Sequence, residues 1–190
     1  IDDPQNSALF GEYPRLLGDP MLMAFLTDYL RLMVSGNMDP FEIDALMEHE
    51  IETFQHEAEI PSHALHAVGD GLPAFGIVAA VMGVVYALGS ADQGAGEMGI
   101  LIANALVGTF LGILLAYGFI NPLAGRILHQ VTEAVKMLQC IRVTLMASLN
   151  GYAPQLAVEF GRKALFTAER PTFDELEDHV RSTKNSTGGS

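Results

Sequence analysis

The sequence contains little cysteine, no tryptophan and few basic residues. Its single cysteine, Cys140, excludes an intrachain disulfide and any zinc site built on a pair of cysteines. Asp and Glu number 23 against 10 Lys and Arg, and the net charge of −13 has the wrong sign for binding a phosphate backbone, which excludes nucleic acid as a partner. Charged residues make up only 17% of the chain, against about 25% in soluble domains, which argues against an ordinary soluble protein.

Charged side chains are absent from two long stretches in the middle of the chain. Residues 71–91 and 98–125 contain no Asp, Glu, Lys or Arg. Each stretch is long enough for a membrane helix, which needs about 20 apolar residues to cross a hydrocarbon core of ~30 Å. Core helices of a soluble protein are the alternative, but the short polar link 92–97 favours a hairpin. The sequence therefore predicts transmembrane helices at 71–91 and 98–121.

Basic residues indicate the orientation of this hairpin. Arg126 and Arg142 follow the second helix, whereas the link 92–97 has no Lys or Arg. Since basic residues are retained on the cytoplasmic side of a membrane, the link is expected on the periplasmic side. Residues 1–70 and 122–190 are then both cytoplasmic.

The N-terminal region carries helix boundaries and no alternating strand pattern. Asp19-Pro20 is typical of a helix start, and apolar residues keep helical spacing from there to Gly36. The motif at 39–42, with Asp at its start and Glu at its end, is a capping box that begins a second helix. Pro61 is expected to end that second helix or to follow its end closely.

The C-terminal region is also predicted to be helical. Apolar residues at helical spacing continue the second membrane helix into the cytoplasm as far as Gly151. Pro154 begins a short helix, and Thr172 with Glu175 forms a capping box for a last one. Residues 185–190 are expected to be a disordered tail. The predicted fold is an all-α integral membrane protein, with a two-helix transmembrane hairpin and helical cytoplasmic segments on both sides.

Small residues line one side of each predicted membrane helix. They are Gly76, Ala80, Gly83 and Ala87 in the first helix, and Gly108, Gly112 and Ala116 in the second. Such stripes let helix backbones approach closely, so tight helix packing is expected. Neither helix contains Asp, Glu, His or Lys. A proton or cation path needs a titratable group at membrane depth, so a partner helix would have to supply one.

Histidine and acidic residues cluster before the first membrane helix, yet no catalytic motif is complete. The His-Glu pairs at 49–50 and 56–57 begin like a zinc-protease motif but lack its second histidine. Helical spacing places four residues on one face: His49, Glu52, His56 and Glu59. This face is either solvated and internally paired or a weak surface metal site, and we favour the first interpretation. The acidic run Glu48, Glu50, Glu52 and Glu57 is expected to be mostly a solvated helix surface. The sequence predicts no enzyme, cofactor or metal centre.

Four longer segments are distinctive. They are LPAFGIVAAVMG at 72–83, VGTFLGILLAYGFINPLA at 107–124, LNGYAP at 149–154 and EFGRK at 159–163. Together they closely resemble the MotA family of bacterial flagellar motor stator proteins, within the wider MotA/TolQ/ExbB group of proton channels. Members of the MotA family have four membrane helices, so the resemblance implies that this chain corresponds to the second half of a subunit. The first two helices and an upstream Arg and Glu pair that engages the rotor would be missing.

The resemblance implies a subunit of an ion-driven motor. In the family, five A chains surround a dimer of MotB, whose membrane helices carry the ion-accepting Asp, and ion passage drives torque on the rotor protein FliG. A homo-oligomer with a MotB-like partner, surrounded by lipid in the bacterial inner membrane, is therefore expected. The resemblance implies no cofactor.

The resemblance also implies roles for five residues. The family's two functional prolines fall on Pro73 and Pro122, and a proline inside a helix leaves a carbonyl unpaired and bends the helix. By spacing alone, Pro73 would instead begin a helix and Pro122 would end one. Glu50 matches a position that carries a rotor-facing charge.

The last two positions concern the coupling ion. Sodium-driven relatives have a threonine at the position of Ala80, facing a threonine that matches Thr109. The resemblance therefore implies a proton-driven stator with Thr109 along the ion path, although Ala80 also fits the stripe of small packing residues.

Two other functions remain open from the sequence. One is a subunit of the ExbB or TolQ type, which energises processes at the outer membrane. The other is a helical membrane scaffold that conducts no ions. The match to the segments around Pro73 and Pro122 favours the flagellar stator.

Overall fold

A computed structural model describes residues 3–90, 92 and 94–187 of the chain, and every regular element in this part is helical. This confirms the all-α prediction. A 3-10 turn at Pro4–Asn6 precedes α1 (Ala8–Gly11), α2 (Pro14–Leu17), α3 (Pro20–Ser35) and α4 (Pro40–Gly89). The second half contains α5 (Ala95–Leu115), a π-helical segment (Ala116–Ile120), α6 (Asn121–Leu149), α7 (Pro154–Ala164) and α8 (Phe173–Thr187).

These elements form two compact units. One contains the described residues of Ile1–Gln55 and Thr132–Ser190, and the other contains those of His56–Val131. The first unit includes α1 to α3, α7, α8 and parts of α4 and α6. The second unit is the hairpin of α4 with α5 and the beginning of α6.

The predicted capping motifs begin the helices as expected. Asp19 accepts hydrogen bonds from the amides of Met21 and Leu22, both at 3.1 Å, so it caps α3. The amide of Glu42 donates to Asp39 at 3.0 Å and the amide of Asp39 donates back to Glu42 at 3.1 Å, which is a complete capping box for α4.

Pro61 does not end α4, so that prediction was wrong. The helix continues through both Pro61 and Pro73 to Gly89. Directly after Pro61, the hydroxyl of Ser62 is 1% exposed and donates to the carbonyl of Ala124 on α6 at 2.9 Å. A proline inside a helix costs about 3 kcal/mol, and packing of this turn against α6 offsets that cost.

The interpretations of Pro73 as a helix start and Pro122 as a helix end are wrong as well. Pro73 lies well inside α4, and Pro122 is the second residue of α6, which continues directly from the π-helical segment. In the C-terminal region, α8 extends to Thr187, so the prediction of a disordered tail was wrong for residues 185–187. Residues 188–190 lie outside the described part of the chain.

The two apolar stretches are exposed rather than buried in a core. Pro40–Gly89 and Ala95–Leu149 each contain a window of 18 residues that is apolar enough to cross a membrane, with mean hydropathies of 2.0 and 2.2. Only 11% and 6% of these windows is buried inside the structure. A core helix of a soluble protein would be mostly buried, so exposure favours contact with lipid or with partner helices.

Small residues line the contact between the two halves of the hairpin. A seven-residue repeat on α4 faces α5 and α6 at Ser62, Gly69, Gly76 and Gly83. A Cβ atom on Gly76 would lie 2.8 Å from the carbonyl oxygen of Gly108, and one on Gly112 would lie 2.6 Å from that of Leu72. Only glycine fits where two backbones approach this closely. The predicted tight packing of the two stripes is therefore confirmed.

Candidate functional site

The first candidate site lies on the contact between α4 and α5. The hydroxyl of Thr109 on α5 donates a hydrogen bond to the carbonyl oxygen of Gly76 on α4, at 3.1 Å. Ala80 lies one helical turn after Gly76 and is 9% exposed. In an α-helix the amide of residue 80 also bonds the carbonyl of residue 76, so Ala80 and Thr109 meet at one carbonyl group. The structure thus brings together the two residues that the resemblance paired.

This part of the hairpin offers oxygen atoms but no proton acceptor. Thr109 and Gly76 contribute a hydroxyl and a carbonyl, both neutral. The hydroxyl of Thr109 and the carbonyl of Gly76 can polarise water or coordinate a cation, but they cannot take up a proton near neutral pH. The apolar segments 71–90 and 98–121 contain no Asp, Glu, His or Lys that could do so.

The second candidate site is the pair of prolines in the hairpin. Pro73 has no amide hydrogen, so the carbonyl of Gly69 loses its helical donor inside α4. Before Pro122 the helix widens into the π-helical segment, and the amide of Asn121 bonds the carbonyl of Ala116, five residues back. Such a segment accommodates a missing donor by local rearrangement, and π segments are frequent at functional sites.

The third candidate site surrounds Glu50 in the other unit. The hydroxyl of Tyr29 on α3 donates to a carboxylate oxygen of Glu50 at 2.6 Å. Tyr29 is 2% exposed, and its ring lies 4.7 Å from that of Phe25 between centroids. Burial raises the pKa of Tyr29, and the hydrogen bond to Glu50 raises it further, so the phenol remains a donor at physiological pH. Glu50 itself is exposed but held in place.

Arg142 forms a charged cluster that the sequence analysis missed. Its Nε donates to Asp44 at 2.6 Å, and its Nη2 donates to Glu48 at 3.3 Å. The hydrogen bond to Asp44 is the main reason why the pKa of Arg142 is raised. Glu48 is thus exposed to solvent, as predicted, and is also paired with Arg142. The sequence separation between α4 and α6 hides this pairing, and the spacing of charges gives no sign of it.

The segment at 159–163, one of the four that carry the resemblance, connects α7 with the residues just before α8. Arg162 donates two hydrogen bonds to the carboxylate of Glu159, at 2.6 and 2.7 Å, and a third to the carbonyl of Pro171 at 2.9 Å. The bond from Arg162 lowers the pKa of Glu159. A Cβ atom on Gly161 would overlap the hydroxyl of Thr144, so α7 packs closely on α6. These contacts hold α7 against α6 and against the residue that precedes α8.

The acidic and histidine residues of α4 do not assemble into a metal centre. Within the described part of the chain, no group of three or more His, Cys, Asp or Glu side chains could hold a metal ion. Glu59 instead lies 3.6 Å from the imidazole of His63, one turn further along α4.

Comparison with known sequences gives several matches across most of the chain. A model of the MotA/TolQ/ExbB proton channel family matches residues 18–140. Motility protein A of Escherichia coli (strain K12) is 62% identical over 185 residues, which cover 97% of this chain and 63% of that protein. Chemotaxis protein LafT of Vibrio parahaemolyticus is 38% identical over 93% of this chain and 62% of its own length. The chain thus spans less than two thirds of the length of these relatives.

Solved structures share the same fold. The flagellar MotAB stator complex from Bacillus subtilis matches with a TM-score of 0.68 at 27% identity, over 77% of this chain and 57% of that chain. The C. jejuni MotAB structure matches with a TM-score of 0.72 at 21% identity, over 90% of this chain and 65% of that chain. Since the family model matches well over half of the sequence and the helical hairpin has its counterpart in these structures, the chain belongs to the MotA/TolQ/ExbB proton channel family.

Proposed function

We propose that this chain is part of a flagellar motor stator subunit that couples proton flow, through a complex with a MotB-like partner, to torque on the rotor. The observation that carries this proposal is the exposed apolar hairpin, which contains no Asp, Glu, Lys or Arg in segments 71–90 and 98–121. Its faces need lipid or other helices to cover them, and an ion path along it needs a carboxylate from a partner. A MotB-like helix with a membrane Asp meets both needs.

The arrangement in the membrane is part of the same proposal. Residues 71–91 and 98–121 cross the bacterial inner membrane, and 92–97 link them on the periplasmic side. Residues 1–70 and 122–190 are cytoplasmic and face the rotor protein FliG. Five copies surround a dimer of the partner, and the subunit performs no enzymatic reaction. Membership of the proton channel family and the likeness to MotAB stator structures support this arrangement.

A subunit of the ExbB or TolQ type belongs to the same family, so the family model alone does not separate it from a stator subunit. The 62% identity to Motility protein A of Escherichia coli favours the stator. A non-conducting scaffold is the remaining alternative, and it would need neither the partner nor the ion.

The proposal is tested with a chimera, called the stator chimera below. In it, this chain replaces the matching 185 residues of Motility protein A of Escherichia coli, which supplies the remaining part. In cells that lack their own Motility protein A, we expect the stator chimera to co-purify with the MotB partner and to restore rotation of tethered cells. The matched control is the 190-residue chain alone, which we expect not to restore rotation.

The outcomes of this test separate the alternatives. A chimera that reaches the membrane, binds no partner and gives no rotation would support a scaffold and contradict the stator proposal. Rotation restored by the 190-residue chain alone would contradict the idea that it forms half of a subunit.

Glu50 is proposed to assist engagement of the rotor through its charge. In the stator chimera, Glu50→Lys is expected to reduce swimming strongly, and Glu57→Lys, a charge reversal on the exposed face of α4, to reduce it little. Glu57 is an exposed charge that changes stability by only about 0–1 kcal/mol. Glu50→Lys also removes the acceptor of the buried Tyr29 hydroxyl, at a cost of about 1–3 kcal/mol, which is less than the stability of a typical folded domain, so protein levels should be similar in both variants. Spreading in soft agar, together with immunoblots, measures both quantities.

Tyr29 provides the control for a structural effect of Glu50. Tyr29→Phe removes the hydrogen bond to Glu50 but keeps the carboxylate charge. If charge is what matters, Tyr29→Phe swims nearly normally. If Tyr29→Phe swims as poorly as Glu50→Lys, Glu50 acts by holding α3 on α4, and equal effects of Glu50→Lys and Glu57→Lys would make it an ordinary surface residue.

A further inference from the structure

Two residues near the hairpin prolines, Gly69 on α4 and Asn121 on α6, are in contact. Gly69 precedes Pro73 by one helical turn, and its carbonyl is the one that Pro73 deprives of a donor. Asn121 directly precedes Pro122. A Cβ atom on Gly69 would overlap the side-chain oxygen of Asn121, so the amide group of Asn121 rests on the backbone of Gly69. The weakened turns of α4 and α6 therefore meet at one contact.

The side chain of Asn121 is not satisfied at this contact. Its Oδ1 is buried and accepts no hydrogen bond from any of the described residues. Buried polar groups are normally paired, and one that is not requires an explanation. An unpaired buried acceptor disfavours its conformation by about tenfold relative to one in which it is paired.

The backbone next to Asn121 provides a way to change this conformation. The π-helical segment at Ala116–Ile120 ends at the amide of Asn121, which bonds five residues back instead of four. If a π-helical turn returns to α-helical geometry, the residues after it rotate by about 100° relative to those before it. A shift of this segment would therefore carry the side chain of Asn121 away from Gly69.

We propose that Asn121 is a positioning residue that couples the bend at Pro73 to the bend at Pro122. In the conformation described here, its amide rests on Gly69 with an unpaired oxygen. When the π-helical segment shifts, the amide leaves Gly69 and gains a hydrogen-bond donor, so the two helices change their bends together. This inference rests on the proposed stator function, because it assigns the contact to the movement that follows ion passage.

The test uses the stator chimera with three variants of this contact and one matched control. Gly69→Ala places a methyl group against the oxygen of Asn121, Asn121→Ala removes the amide, and the double variant combines both changes. Gly71→Ala is the control, since it makes the same replacement on α4, where a Cβ atom would have only an ordinary contact with Phe75 at 3.6 Å. It therefore controls for the higher helix propensity of alanine.

Three quantities are measured: the motor speed per engaged stator unit at low load, the stall torque, and the number of engaged units. We expect Asn121→Ala to lower the low-load speed about fivefold, the smallest factor typical of a lost coupling between two sites. Stall torque and the number of units should be unchanged. Gly69→Ala should be slower still, the double variant should return to the speed of Asn121→Ala, and Gly71→Ala should match the unsubstituted chimera.

Each failure has a distinct meaning. If the unsubstituted stator chimera gives no rotation, the proposed function fails. If it rotates and Asn121→Ala has normal low-load speed, the inference is wrong. This conclusion holds whether or not Gly69→Ala folds. Equal effects of Gly69→Ala and Gly71→Ala, or simple additivity in the double variant, would also overturn it. A loss of engaged units without a change in speed per unit would show that the contact only stabilises the fold.

Discussion

Replacing Pro73 or Pro122 by alanine in the stator chimera is expected to lower torque by about tenfold or more, within the range that loss of an allosteric coupling gives. Alanine restores the backbone donor that proline lacks, so the carbonyl of Gly69 regains its partner in α4 and the helix straightens. Both prolines lie inside continuous helices rather than at a start or a stop. In that position a proline removes a hydrogen bond and favours a bend. Torque measured on tethered cells, with membrane levels and partner binding, checks this result.

Pro61 is the matched control for these substitutions. It also lies inside α4, and Pro61→Ala makes the same chemical change outside the apolar stretch. The neighbouring hydrogen bond from Ser62 to Ala124 remains possible in this variant. We expect Pro61→Ala to reach the membrane and to generate normal torque.

Two results would contradict a role of Pro73 and Pro122 in movement. If either alanine variant fails to accumulate, that proline is needed for folding or insertion. If Pro61→Ala loses as much torque as Pro73→Ala, straightening α4 anywhere has the same effect, and the two hairpin prolines have no special role.

Local sequence signals predicted most of the helix boundaries in this chain. Asp19, the Asp39–Glu42 motif and Thr172 with Glu175 satisfy backbone groups within a few residues of themselves, so their geometry depends little on the rest of the fold. The stripes of small residues were also readable, because helical spacing alone places Gly76 and Gly112 on contact faces.

The errors concern prolines whose surroundings lie far away in sequence. Pro61 has the local properties of a helix end. The helix α4 continues because Ser62 packs against α6 and donates a hydrogen bond to the carbonyl of Ala124, which is 62 residues further along the chain. The helix continues through Pro122 because the π-helical segment before it rearranges the hydrogen bonds around the amide that proline lacks. No rule based on local propensity contains these contacts.

The charge clusters were missed for the same reason. The acidic run of α4 is exposed, as predicted, but two of its members also have partners on other helices: Tyr29 donates to Glu50, and Arg142 donates to Glu48 as well as to Asp44. These pairs join residues from separate helices, whereas the rule that pairs charges three or four residues apart applies within one helix. The resemblance to the MotA family pointed to Glu50, but only the structure shows that Tyr29 holds it.

The coupling ion is expected to be the proton, so the speed of the stator chimera should follow the proton-motive force and ignore external sodium. A sodium ion needs several oxygen ligands to replace its hydration shell. Around Gly76 lie its own carbonyl, the carbonyl of Gly108 and the hydroxyl of Thr109, and at position 80 the side chain is a methyl group. Thr109 is thus the one of these groups with a side-chain oxygen, and the two carbonyls also serve as helical hydrogen-bond acceptors, which makes a poor sodium site. A proton, in contrast, can move along water to one carboxylate of the partner.

Ala80→Thr and Ala80→Val separate the oxygen from the size of the side chain. A threonine in a helix bonds the carbonyl four residues back, so Thr at position 80 would add a second side-chain hydroxyl at Gly76, beside that of Thr109. Valine has nearly the same shape without the hydroxyl, and both side chains crowd the buried position equally. We expect both variants to be slower because of this crowding, and only Ala80→Thr to respond to sodium. If the unsubstituted chimera shows a speed that saturates with sodium at constant pH and voltage, the proton assignment is wrong, and Ala80 belongs only to the packing of α4 on α5.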